Sequence, residues 1–284
     1  MQHFDTSILF SGDLGRPVDP IMRAPHTPPT TDYYVVESTY GNRLHENIDP
    51  LKDLGSIINK TIKRGGTVVI PAFAVGRAQS ILYDVYRLKL ENIIPSDIPL
   101  FIDSPMATDV TRLFYKHAEQ HRLTKEVSEA VCKTAKYIHT PEESMALNTI
   151  KMPMIIISAS GMATGGRVLH HIKNLAPDHR NSIVFCGFQA SGTRGDRMLS
   201  GEKNIKMFGE MIPVRAEVIK LDNLSAHADY SEILDWLSAV KKIPRKVFVT
   251  HGEASAALSL KEKIEDKLDW QCIVPSFMDE FELV

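Results

Sequence analysis

DYYVVESTYGNRLHENIDPLKDLGSIINKTIKRGGTVVIPAF, residues 32–73, sets two buried-strand patterns on either side of a helical one. YYVV is a short apolar run that ends on Glu37 and the turn Tyr40-Gly41-Asn42, and such a run bounded by turn residues reads as a strand. From Asn47 to Arg64 the residues Ile48, Leu51, Leu54, Ile57, Ile58 and Ile62 recur at helical spacing, and Gly65-Gly66 stops the helix before TVVIPAF. Strand, helix and strand in this order make a βαβ rhythm.

The rhythm continues outward. A helix is expected from about Ala78 to Leu90, then the strand PLFIDSP, helices covering roughly Ala107 to Ala135, the strand MPMIIISAS, a helix from Arg167 and the strand SIVFCGF. Four strands alternating with helices predict an α/β fold with a mostly parallel, Rossmann-like sheet. Upstream, TSILFSGDLG reads as a strand ending in an Asp-bearing glycine turn, followed by the Pro-rich connector APHTPPTTD. After Gly201 the pattern changes to EVIKLDNLSAHAD, the helix YSEILDWLSAV, the strand KVFVTHGE, a helix from Ser255 to Leu268 and a short strand near CIVPSF. This tail is expected to form a different layer from the middle.

With 284 residues and 43% hydrophobic content, the chain can bury a sizeable core. A net charge of -2 excludes a globally basic nucleic-acid coat, so any polyanion site is local. Cys132, Cys186 and Cys272 lie far apart without a CxxC pair, which speaks against a disulfide framework or a thiolate zinc site and for a reducing cytoplasm. No apolar run spans a bilayer and the opening residues lack a signal-peptide design, so a protein with no membrane role is expected.

Four short words place an acid or an imidazole at strand ends: SGDLGR with Asp13, ESTYG with Glu37, SAHAD with His227 and VTHGE with His251. Singly each is ordinary, because Asp beside Gly forms turns and a lone His is usually structural. In this order, with a βαβ block between the second and third, they resemble the β-CASP family of metallo-β-lactamase-fold nucleases. PAFAVGRAQSILY, IDSPMA, SASGMATGGRVLHH and GFQASGTRG inside the block strengthen the likeness, which covers essentially the whole chain.

The resemblance implies an αββα metallo-β-lactamase domain interrupted by a β-CASP domain. Residues 1–45 and 213–284 would belong to the outer domain and 46–212 to the insert. It also implies a zinc-dependent ribonuclease of RNA processing, similar to prokaryotic relatives of the cleavage and polyadenylation nuclease subunit. Asp13 would bridge two zinc ions and His251 would bind one of them. Glu37 would position His227, which would protonate the leaving oxygen, since a carboxylate partner fixes an imidazole's tautomer and favours its protonated form. Hydroxide held between the zincs would attack phosphorus in line. A histidine at the last motif resembles the RNA-directed branch of the family, which makes RNA the expected partner.

The family's HxHxDH segment is absent from this sequence, and none of the other histidines reproduces its spacing. The chain is therefore expected to be the C-terminal part of such an enzyme, to bind zinc poorly and to hydrolyse little alone. A non-catalytic RNA-binding scaffold and one half of a split nuclease are the alternatives. The uncovered strand edges of a partial outer sheet invite association, so a homodimer is among the expected states, as is pairing with the missing N-terminal half.

Ser160, Gly161, Gly165, Gly166 and Arg167 in the first glycine loop, and Gln189, Gly192 and Thr193 in the second, are candidate phosphate contacts or simply tight turns at strand ends. Arg77 would contact the RNA backbone or cap local carbonyls. Ser225 would donate to a phosphate or close the turn before His227.

Overall fold

The computed structural model describes residues 2–3, 6–45 and 50–283. It divides into two compact units, one of Met1–Glu46 with Ala226–Val284 and one of Asn47–Ser225. Residues 47–49, the expected start of the first helix, and the boundary near residue 46 lie outside the described residues.

The middle unit is built on a six-stranded, wholly parallel sheet. Its strands are β4 (Val68–Pro71), β5 (Leu100–Asp103), β6 (Lys136–Tyr137), β7 (Ile155–Ser158), β8 (Ser182–Cys186) and β11 (Glu217–Leu221), in the order β11-β8-β4-β7-β5-β6. The apolar runs are continuous because both faces are covered. Val68, Ile70, Ile155 and Ile157 pack against Leu54 and Ile58 of α1 (Pro50–Lys63) and Ile81 and Leu82 of α2 (Arg77–Leu90). On the opposite face Val69, Ile183 and Phe185 meet Val168, Leu169 and Ile172 of α6 (Val168–Leu175).

The helices expected over 107–135 are α3 (Pro105–Lys116) and α4 (Lys125–Lys133), with Ser104 and Thr124 each capping an N-terminus. Two features depart from the sequence reading. EVIKL, expected in the tail, forms β11 and pairs with β8 in the register Glu217↔Ser182 to Leu221↔Cys186. The two compact units divide after Ser225. Shorter elements also emerge: α5 (Pro141–Leu147), closed by a Thr140/Glu143 capping box, α7 (Arg194–Leu199), and the hairpin of β9 (Asn204–Met207) and β10 (Glu210–Pro213). The hairpin turns on Phe208 and Gly209, both at positive φ, the two-residue geometry that matches strand twist.

The other unit carries the sheet β1-β2-β3-β12-β13: β1 (Gln2–His3), β2 (Thr6–Phe10), β3 (Tyr33–Glu37), β12 (Lys246–Thr250) and β13 (Cys272–Ile273). β2, β3, β12 and β13 run parallel, and only the β1–β2 pair is antiparallel. Tyr34, Val36, Val247 and Val249 bury one face against α8 (Tyr230–Ser238) and α9 (Ala254–Leu268) through Ile233, Leu237, Leu260 and Ile264. Gly41 allows that approach, since a Cβ there would lie 2.4 Å from the Ala256 carbonyl oxygen. Among the described residues no helix is long and apolar enough to cross a membrane.

Candidate acid–base and metal-ligand site

Parallel strands end on the same edge of a sheet, and the segments leaving that edge are where α/β proteins gather ligand-binding groups. In the outer unit β2 leads to Asp13, β3 ends on Glu37 and β12 leads to His251, with Thr250 in register beside Glu37. His227 comes to the same edge through the bridge Gly15↔His227 and the bond from Ala228 N to Leu14 O at 2.8 Å.

The four side chains meet. Glu37 is 2% exposed, and its carboxylate accepts from the Leu14 amide at 2.5 Å and from the Thr39 amide at 3.4 Å. Both of its oxygens lie 3.0 Å from His227 Nδ1. A carboxylate only accepts, so Nδ1 carries the hydrogen and Nε2 is the nitrogen turned away from Glu37. The His251 ring stacks beside that of His227, 6.0 Å between centroids, and its Nε2 is 3.7 Å from Asp13 Oδ1. His251 sits at φ 49°, in the left-handed region that costs energy for a residue with a Cβ. Its carbonyl holds the position by accepting from Ser38 N at 3.2 Å and Thr39 Oγ1 at 3.4 Å. Gly252 makes this closeness feasible, since a Cβ there would lie 2.4 Å from Ser38 Oγ.

Two ligands of one tetrahedral zinc, each about 2.0–2.2 Å from the ion, lie about 3.5 Å apart, so the Asp13–His251 spacing suits one edge of such a site. Both side chains are more than half exposed and open to a ligand. Carboxylate and imidazole also suit zinc chemically. Yet zinc takes three or four protein ligands. Among the described residues, the one group of three potential donors within 4.8 Å of one another is His45, Asp229 and Glu232, a different cluster. The pair present is thus a partial ligand set.

The candidates in the middle unit are largely held by one another. Arg167 donates to the buried carboxylate of Asp103 at 2.8 Å and to the carbonyls of Ile138 and His139. Asp103 also accepts from Ser144 and lies 2.6 Å from His171 Nε2. The Ser160 hydroxyl accepts from Thr164 N. Thr193 caps α7, and the Gly192 amide donates to Asp196. Gln189 Nε2 reaches the Gly161 carbonyl at 3.2 Å, and the Gly195 amide reaches that of Met162 at 3.1 Å, so the two glycine loops clasp each other. Gly166, at φ 78°, closes the first loop against the Ala159 carbonyl, while Gly165 has open space beside it. Arg167 is thus engaged by Asp103 and two carbonyls, and Gly192 and Thr193 by the first turn of α7. Arg77 lies elsewhere in the unit, beside Gly187 and Ser225: a Cβ on Gly187 would be 3.9 Å from its guanidinium and 3.7 Å from Ser225 Cα.

Sequence reasoning passed over His45, whose ring lies 2.9 Å from the His227 carbonyl. Tested against HxHxDH spacing alone, it looked idle. Its place eight residues after Glu37, in ESTYGNRLH, was the available signal.

The family profile described as "Beta-Casp domain" matches residues 78–198, and that described as "Zn-dependent metallo-hydrolase RNA specificity domain" matches residues 211–275. The chain is 37% identical over 262 residues to "Ribonuclease TTHA0252" of Thermus thermophilus, covering 89% of this chain and 59% of that protein. It is 35% identical over 280 residues to an "RNase J-like protein" of Methanocaldococcus jannaschii, with 94% and 63% covered. Against "Transcription termination factor FttA" of Pyrococcus abyssi it is 34% identical over 272 residues, with 90% and 41% covered. The chain therefore spans between 41% and 63% of the length of these relatives.

Proposed function

We propose that this chain, which belongs to the β-CASP family of metallo-β-lactamase-fold proteins, supplies the acid–base pair and part of the metal-ligand set of a zinc-dependent RNA phosphodiester hydrolase. One observation carries the reading: Glu37 grips His227 at Nδ1 while Asp13 and His251 stand beside them with donor atoms 3.7 Å apart. Glu37 keeps the His227 ring oriented through Nδ1. His227 Nε2 is then the atom that delivers a proton to the departing ribose oxygen. Asp13 and His251 would hold one edge of the zinc site, and bound zinc would supply an activated water and charge neutralisation at phosphorus.

With two such donors at this edge among the described residues, hydrolysis requires further ligands from another segment or another polypeptide. We place this work in RNA processing or decay, on the ribonuclease names of two relatives, and in the reducing cytoplasm, because all three cysteines are free thiols. Arg77, Ser225 and the open flank of the first glycine loop are the groups we assign to the RNA backbone.

The test joins this chain to the part of the Thermus thermophilus relative outside the matched 262 residues. RNA cleavage by the chimera, abolished by His227→Ala and by Asp13→Ala, is the expected result. A folded chimera that leaves RNA intact while the relative cleaves it would overturn the assignment.

A further inference from the structure

His45 follows β3 in the same segment as Glu37, and its main-chain N–H and its ring both bond toward the His227 loop. Its main-chain N–H donates to Asp229 Oδ2 at 3.0 Å. Its ring Nε2 lies 2.9 Å from the His227 carbonyl oxygen. A carbonyl offers no hydrogen, so Nε2 must donate and the neutral ring is the Nε2–H tautomer. Burial holds the His45 pKa below the ordinary value of 6.5, the bond to His227 opposing it, which keeps the ring neutral at physiological pH.

Asp229 is itself fixed. Its carboxylate caps α8 by accepting from Ser231 N at 2.9 Å and Glu232 N at 3.0 Å, and Glu232 closes the capping box by accepting from Asp229 N at 3.0 Å. Arg16, three residues after Asp13, pairs with Glu232 at 3.2 Å. The side chains that would compose a cation site at His45, Asp229 and Glu232 are thus engaged in capping and in an ion pair with a guanidinium, which argues for a clamp and against a metal. The bridge Tyr40↔Asp229 and the Tyr40 ring, 4.7 Å from that of His45, complete it.

We infer that His45 is a positioning residue for His227: it ties the His227 main chain to the segment that carries Glu37, so that the imidazole and its carboxylate partner move as one body. Without the ring's bond, Ala226–Asp229 keeps the bridges Gly15↔His227 and Tyr40↔Asp229, the bond from the His45 amide and the cap of α8, but the His227 carbonyl loses its tie to the segment that carries Glu37 and the ring gains freedom about its own main chain. This inference rests on the reading of His227 as proton donor, but the bond itself can be tested without catalysis.

The test is long-range ¹H–¹⁵N correlation of the histidine rings in the full chain near pH 8. The parent is expected to show His45 as the Nε2–H tautomer and His227 as the Nδ1–H tautomer, both N–H signals slow to exchange. In His45→Phe, which keeps a ring and removes the donor, the His227 Nδ1–H signal should exchange at least about fivefold faster and its tautomer should become mixed, since one net hydrogen bond is worth roughly that factor. His45→Gln, whose amide can still donate to the carbonyl, should restore both. A general loss of packing would disturb the Trp236 and Trp270 indole signals equally in both variants. An unchanged His227 signal in His45→Phe, or an Nδ1–H or charged His45 in the parent, would overturn the inference, and the second readout needs no variant to fold. If the positioning holds while the chimera with His227→Ala still cleaves RNA, then the nuclease reading has failed and the clamp has not.

Discussion

Removing the Glu37 carboxylate should destabilise the outer unit by an amount the structure allows one to work out. In Glu37→Ala the buried Leu14 amide loses its acceptor at 2.5 Å, and a buried donor left unpaired costs about 1–3 kcal/mol. The charge-assisted bond to His227 Nδ1 is also lost; that ring is about a quarter exposed, so water recovers part of its value and about 1 kcal/mol is a fair share. The sum is about 2–4 kcal/mol. Glu37→Gln keeps one oxygen for Leu14 and loses the charge, and should cost about 1–2 kcal/mol. Both tryptophans, Trp236 and Trp270, belong to the outer unit, so fluorescence during urea unfolding reports that unit and not the middle one. With a slope of about 2 kcal/mol/M, the Ala variant should lower the midpoint by about 1–2 M and the Gln variant by about half that. A midpoint in Glu37→Ala within about 0.3 M of the parent would refute the claim that this carboxylate is a buried, satisfied hub.

The middle unit has its own hub. Burial pushes the Asp103 carboxyl up, but the bonds from His171, Ser144 and Arg167 outweigh it and hold the folded pKa below the ordinary 3.8. A depressed carboxyl stabilises fully above its unfolded value, and the benefit is lost as pH falls from 3.8 through the lower folded one; far-UV circular dichroism melts across that window should show the loss in the parent and much less of it in Asp103→Asn. Asp103→Asn should itself cost about 3–5 kcal/mol near neutrality, because it leaves Arg167 and the buried His171 facing a neutral group, while the tryptophan transition stays in place. Gly252→Ala should cost about 1–3 kcal/mol of stability in the tryptophan-monitored unfolding, as its Cβ would clash with Ser38. Elemental analysis after dialysis against a chelator should find the chain essentially free of zinc, and calorimetry should find binding weaker still in His251→Ala. The Cys186 and Cys272 thiols, pushed up to about 12 by burial, should resist alkylation at pH 8 until the protein unfolds, as mass spectrometry would show.

The fold was readable wherever burial makes a period. VVIP, LFID, IIIS and SIVFC are unbroken apolar runs because their strands are covered on both faces, and α1, α2 and α9 show the helical stripe that one covered face requires. EVIKL was harder, since its burial pattern carries a single fully buried residue and nothing in its composition says which sheet receives it. The turn at Phe208-Gly209 was missed for a similar reason: turn geometry is a local choice that a stretch of apolar spacing does not announce.

By itself, the sequence determined the α/β class, the order of its strands and helices, and the four words holding Asp13, Glu37, His227 and His251, all of which follow from short-range patterning and residue chemistry. Only the tertiary structure decided that parallel pairing of β2, β3 and β12 brings those words to one sheet edge, that Arg167 answers Asp103, and that His45 holds the His227 main chain. Periodicity records which face of an element is buried; which distant residue stands opposite depends on register and crossover, and those are settled only when the whole chain packs.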